Sequence, residues 1–244
     1  MAEASAIQRR LRSRLVLVDA LPPVRVVAGV DCAYDPAAGL AFAAALAFAF
    51  PSLALLDEAT ATAPLTFPYV PGLLSFREGP VILAAVDRLT VWPDLFLFDG
   101  QGIAHPRGFG LASHLGLLLD RPSIGCAKSR LVGAADTARL GRRRGARRAL
   151  RFEGRTVGVV LRTRDGGRPI FVSPGHRVSL ATAVRLVLRC CRGARLPEPT
   201  RLADRAVGRL KAGAGGRESG DAGGGERQSG ASVPAGGSAS GAVR

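Results

Sequence analysis

Residues 94–133 read DLFLFDGQGIAHPRGFGLASHLGLLLDRPSIGCAKSRLVG. The run Asp94-Leu-Phe-Leu-Phe98 has the length and apolarity of a buried strand. The segment around Gly110 to Leu118 has helical composition, and Ser123 to Ala127 reads as a second short strand. Asp99 stands at the end of the first strand, followed by glycine. Such a position either closes a turn or holds a metal or phosphate at the strand end. The stretch also holds two of the three histidines and one of only two lysines in the chain, Lys128.

On the N-terminal side, Val24 to Ala33 is another apolar strand, broken by Asp31. A carboxylate in a buried strand is costly unless it is paired or holds a metal, although a turn with Tyr34-Asp35-Pro36 is the other reading. Leu40 to Leu56, LAFAAALAFAFPSLALL, has nearly the apolarity of a membrane span. It falls short of the roughly 20 residues a helix needs to cross a bilayer. Leu40, Phe42, Leu46, Phe48 and Phe50 occupy even positions and alanines occupy odd ones. That period of two marks a strand with one bulky and one small face. Strands over 40–50 and 53–59 then follow the first as a meander. Residues 1 to about 20 read as a surface helix, with Ile7, Leu11, Leu15 and Val18 at helical spacing. Residues 64–80 are rich in proline and glycine, and Pro80 is expected to open a helix carrying Ile82, Val86 and Leu89. Glu78 then sits just before that helix.

On the C-terminal side, residues 141–151, GRRRGARRALR, read as a solvated loop or a loop that contacts phosphates. Strands are expected over 156–162 and 169–172. Ser173-Pro-Gly-His176 reads as the start of a helix capped by Ser173, with Val178, Ala181, Val184, Leu188 and Cys191 as its buried stripe. His176 then lies in the first turn, where backbone N–H groups favour anions, unless it is a plain surface residue. Residues 212–244 are rich in Gly, Ser and Ala and are expected to be a disordered tail. Its three arginines and three acids cancel, so the net charge of +15 belongs to residues 1–211. That charge points to polyanions, nucleic acid before membrane. No long apolar segment resembles a secretory signal. No C-x-x-C pair occurs among the four cysteines, so reduced, buried thiols in a cytoplasmic protein are expected.

Asp31, Glu78 and Asp99 interrupt apolar context, and His176 joins them at an expected helix start. Three carboxylates and a histidine suit a hard divalent cation such as Mg²⁺. A meander followed by alternating helices and strands, with acids on strands one and four, is the layout of ribonuclease-H-like nucleases. The segments VAGVDCAYDP, PYVPGLLSFREGP, DGQGIAHPRGFGLASHLG with PSIGCAKSRLVG, and VSPGHRVSLATAVRLV followed by LPEPTRLAD resemble the successive motifs of the endonuclease V family. They cover about residues 24–207, in that family's order.

The resemblance implies an α/β, ribonuclease-H-like fold, a central mixed sheet with strands 1–3 antiparallel and flanking helices, in a catalytic domain of residues 1–211. It implies a Mg²⁺-dependent enzyme, with Mn²⁺ as a substitute, acting as a monomer on DNA that contains deoxyinosine. Cleavage is expected at the second phosphodiester bond 3′ to the lesion, leaving 3′-hydroxyl and 5′-phosphate ends. By the same resemblance Asp31, Asp99 and Glu78 hold the metal, and with Lys128 and His176 form the catalytic set. Pro68, Tyr69, Val70 and Pro71 match the family's wedge in the duplex. Gly72, Leu74, Gly100, His105, Gly110, Leu111, Gly125 and Leu131 match its base pocket, although any one of these glycines can equally be an ordinary turn. Two alternatives stay open: an endoribonuclease specific for inosine in RNA or single strands, and a non-catalytic protein that binds branched or damaged DNA.

Overall fold

The computed structural model describes residues 1–218. Its strands are β1 (Val26–Asp35), β2 (Leu40–Ala49), β3 (Leu55–Pro64), β4 (Leu95–Phe98), β5 (Ser123–Ala127), β6 (Arg147–Phe152), β7 (Arg155–Leu161) and β8 (Ile170–His176). Its helices are α1 (Ala2–Arg12), α2 (Leu74–Val86), α3 (Leu111–Leu118), α4 (Leu180–Arg189) and α5 (Glu198–Glu218). One mixed sheet runs β3-β2-β1-β4-β5-β8-β7-β6. The first three strands are antiparallel, as expected, and β4 lies parallel to both β1 and β5.

The alternation in β2 decides how the layers form. Phe42, Leu46 and Phe48 enter the core beneath α4 and α5, which includes Val184, Ala203 and Val207. Ala41, Ala43, Ala45 and Ala47 enter the opposite core, where Val81, Ile82 and Ala85 of α2 pack on them. Small residues on that face let α2 sit close to the sheet, while the bulky face fills the space beneath α5. The apolar stretch is a strand buried on both faces, and no helix among the described residues is long and apolar enough to cross a membrane.

Five local expectations are corrected. Helix α1 stops at Arg12, and the chain continues without regular structure past Leu15 and Val18. The helix expected from Pro80 begins at Leu74, so Glu78 and Pro80 lie inside it. Burial of Ser75, Glu78, Val81 and Ile82 outweighs the backbone hydrogen bond that the proline forgoes. Ser173 to His176 belong to β8, paired with β5, and Ser179 is the cap of α4, accepting from the Thr182 N–H at 3.2 Å. The arginine run is partly regular, since Arg147 to Arg151 lie in the edge strand β6. Helix α5 runs beyond Ala212 to Glu218, and the remainder of the expected tail lies outside the described residues.

Candidate active site

Side chains alternate along a strand, so Val27, Gly29 and Asp31 share one face of β1, and Leu95, Leu97 and Asp99 follow one parity through β4. Val27, Leu95 and Leu97 belong to the core beneath α5, which places both aspartates on the α5 side. Helix α5 reaches them because β1 carries glycine where the two backbones meet. A Cβ on Gly29 would stand 2.1 Å from the Pro199 carbonyl carbon. One turn further on, α5 presents Asp204.

One carboxylate oxygen from each of Asp31, Asp99 and Asp204 lies within 4.8 Å of the other two. Lys128, just past β5, closes the group: its Nζ is 2.6 Å from Asp99 Oδ2 and 2.8 Å from Asp204 Oδ1. Burial, reinforced by the charge of Asp99, pushes the Asp31 carboxyl up to about 8. Burial also raises Asp99, against the opposing pull of Lys128. Asp204 is held below the ordinary aspartate range, chiefly by its hydrogen bond from Lys128. Burial pulls the Lys128 ammonium down, but its bonds to Asp204 and Asp99 outweigh that and leave it above lysine's usual value. A site made only of carboxylate oxygens, crowded enough to resist full ionisation, is suited to a hard divalent cation.

Glu78 takes a different place from the expected one. It projects from α2 on the opposite face of the sheet and accepts a hydrogen bond from the Tyr34 hydroxyl. Burial lifts its carboxyl to about 7, the Tyr34 bond opposes this, and the charge of Asp99 adds to it. The carboxylates that come together are therefore Asp31, Asp99 and Asp204, and Glu78 is buried in α2 on the other face of the sheet.

His176 is not brought to the carboxylates. It pairs with Ser123 at the start of β5, whereas Asp99 follows Phe98, which pairs with Gly125 further along the same strand. The ring is buried, its Nδ1 accepts from the Val16 N–H at 3.3 Å, and its Nε2 lies 3.7 Å from Asp120. It anchors the segment after α1 to the sheet.

Against the loop that follows Asp99 lies a cavity of about 110 Å³, lined by Tyr69, Val70, Pro71, Gly72, Leu74, His105, Gly110, Leu111 and Leu131 among others. The wedge and base-pocket segments therefore meet in one place, with Tyr69 largely exposed at its edge. Pro68, Gly100 and Gly125 do not line it. A Cβ on Gly125 would come within 2.5 Å of the Gly100 oxygen and the Gly102 nitrogen, so that glycine lets the 100–102 backbone lie directly on β5. Three further residues line the cavity: Gln8, Ser75 and Gln101. Gln8 donates to the carbonyls of Gly72 and Phe109, both at 3.1 Å, tying the loop that ends at Gly72 to the loop after Asp99. His105 Nε2 and Arg107 also bond to the Gly72 carbonyl. Gly72 has φ +80°, a left-handed conformation that favours glycine. Burial depresses His105 to about 4, so its ring is neutral. Gln101 donates to the Ser129 carbonyl at 2.9 Å, and its buried Oε1 has no partner among the described residues.

The sequence profile described as endonuclease V matches residues 9–205. The chain belongs to the endonuclease V family. An endonuclease V of Roseiflexus castenholzii is 53% identical over 204 residues, covering 84% of this chain and 90% of that protein. The crystal structure of an endonuclease V from Streptomyces avermitilis superposes with a TM-score of 0.83 at 44% identity, covering 88% of this chain and 94% of that one. An endonuclease V of Ciona intestinalis, 28% identical with a TM-score of 0.76 over 87% of this chain and 98% of its own, was solved in complex with a 24mer DNA containing an inosine followed by a ribo-adenosine. The chain is thus an endonuclease V-type nuclease with that family's fold. Asp204 was within reach of the sequence, because it ends the motif LPEPTRLAD. Nothing in its helical surroundings sets it apart from an ordinary surface acid.

Proposed function

We propose that this endonuclease V recognises deoxyinosine in DNA and hydrolyses the second phosphodiester bond on its 3′ side, with Mg²⁺ or Mn²⁺ held by Asp31, Asp99 and Asp204. The observation that carries the reading is an all-carboxylate cluster that includes Asp99, together with a cavity lined by Gln101, two residues further on, and edged by Tyr69, Val70 and Pro71. A bound cation supplies Lewis-acid polarisation of the phosphate and a lowered pKa for water. Lys128 places a fixed positive charge beside Asp99, where it can offset charge developing on the phosphate. Glu78, poised near neutrality, oriented by Tyr34 and within the electrostatic reach of Asp99, can hold or release a proton. The lesion base leaves the stack for the cavity, and Tyr69 fills the gap it leaves in the stack. Gln101 offers an acceptor that suits the N1–H of hypoxanthine and not the bare N1 of adenine.

The deciding experiment is cleavage of a labelled duplex with one inosine, with and without Mg²⁺, mapping the nick to the nucleotide. A metal-dependent nick at the second bond 3′ to inosine is expected; equal cutting of the adenine control would overturn the reading. Tyr69→Ala is expected to raise KM for inosine duplex severalfold while leaving the Mg²⁺ dependence intact, and unchanged lesion selectivity would remove the wedge role. The ribo-adenosine in the Ciona substrate favours a second reading, cleavage of inosine in RNA. Matched RNA and DNA strands, compared by kcat/KM, separate the two.

The site also predicts a pH signature. Asp31 in the folded chain binds its proton more tightly than at its ordinary value of 3.8, with the pKa raised to about 8. Its contribution to stability is therefore fully present below pH 3.8 and is lost as the pH rises through about 8. A divalent cation competes with that proton and relieves the repulsion among the carboxylates. The rise in Tm on adding Mg²⁺ should be small near pH 6 and grow towards pH 8.5 in scanning fluorimetry. A pH-independent rise would place the cation elsewhere.

A further inference from the structure

A second cavity, of about 460 Å³, lies between the end of α1, the 103–108 loop and the β6–β7 turn. Its volume falls within the roughly 300–1,000 Å³ typical of ligand sites. Leu15, Ile103 and Phe152 give it an apolar lining, and Arg12 and Arg155 bring positive charge, with Glu153 the one acid. His105 lines this cavity and the base cavity alike, so its imidazole stands between them. That ring is held on both nitrogens, by the Gly72 carbonyl at 2.9 Å and the Arg107 N–H at 3.2 Å. It is therefore a fixed partition.

The three features are arranged in order. Gln101 lines the base cavity and stands two residues from Asp99. His105 lines both cavities, and Arg155 of the second opens β7, whose other end at Val160 lies level, through Phe171, with Ala127 beside Lys128, so the second cavity lies towards the end of the sheet away from the carboxylates. If the bond cut at the carboxylates lies 3′ to the lesion, as in the function proposed above on which this inference rests, a strand leaving the other side of the base cavity is its 5′ continuation. We infer that the second cavity is a subsite for the nucleotides immediately 5′ of the lesion, with their phosphates on Arg12 and Arg155 and a sugar or base against Phe152. Polyanionic backbone matches the two arginines, and apolar lining beside them suits a nucleoside more than a free anion.

The test pairs protein and substrate truncation. Two single-stranded inosine oligonucleotides are compared, one extended on the 5′ side of the inosine and one beginning at it. Each is assayed with the wild type and with Arg12→Gln/Arg155→Gln; both arginines are exposed, so the fold is expected to survive. On the extended strand the double variant should raise KM about tenfold and flatten the salt dependence of binding by about one log–log unit per arginine. On the strand that starts at inosine, variant and wild type should converge. An equal penalty on both strands, or none on either, overturns the subsite. Anisotropy titration of the same strands in EDTA reads the subsite without cleavage. A wild type that fails to nick at inosine while showing this binding pattern counts against the lesion reading alone.

Discussion

Asp204→Asn is expected to lower the nicking rate on an inosine duplex on the order of a thousandfold, because loss of several kcal/mol of charge stabilisation at the phosphate translates into that range. The substitution keeps the shape of the side chain and removes only its charge. Asp204 is about half exposed, with side-chain accessibility of 48%, so folding does not depend on it. Lys128 keeps its bond to Asp99 at 2.6 Å, so binding of inosine DNA should stay within a few-fold of wild type. Asp31→Ala should behave alike for rate. His176→Gln is the informative contrast. That ring anchors the segment after α1 through Val16, away from the carboxylates, so its loss should lower Tm and leave kcat nearly unchanged. A collapse of kcat in the histidine variant, with an active Asp204 variant, would reverse the roles assigned to these two residues. Single-turnover cleavage with thermal melts on the same preparations decides it.

Gly29→Ala should damage stability and activity together, although residue 29 carries no functional group. Its new Cβ would stand 2.1 Å from the carbonyl carbon and oxygen of Pro199, both of them backbone atoms that cannot rotate away. Helix α5 must shift outwards, and overpacking of this kind costs about 1–3 kcal/mol, or roughly 2–12 °C of Tm in a chain of this size. The same shift withdraws Asp204 from Asp31 and Asp99. A displacement of about 1 Å at a reacting centre can lower the rate about a hundredfold. A variant that melts lower but nicks at the wild-type rate would show that Asp204 does not need α5 docked on β1. Retained stability would show that the sheet can accommodate the methyl group.

Particular residues show how far the sequence could be read. The alternation of Phe42, Leu46 and Phe48 with alanine was legible because a strand's two faces are written directly in its residue order, and the two cores divide along it. Asp31 and Asp99 were legible because a carboxylate in a buried strand is unusual whatever lies around it. Glu78 and His176 were misplaced because proline and serine signals suggest helix starts, while burial and strand pairing act over distances those local signals do not register. Gly125 was read as a pocket glycine, but its role depends on the backbone segment packed against it.

Resemblance of its motifs therefore pointed to an α/β nuclease of endonuclease V type, and residue order to its strand-borne aspartates. Which acid completes the cluster depended on packing. Asp204 lies on a helix surface like any other acid until Gly29 lets α5 settle on β1, and only that contact, between residues 170 positions apart in the chain, brings the third carboxylate to the other two.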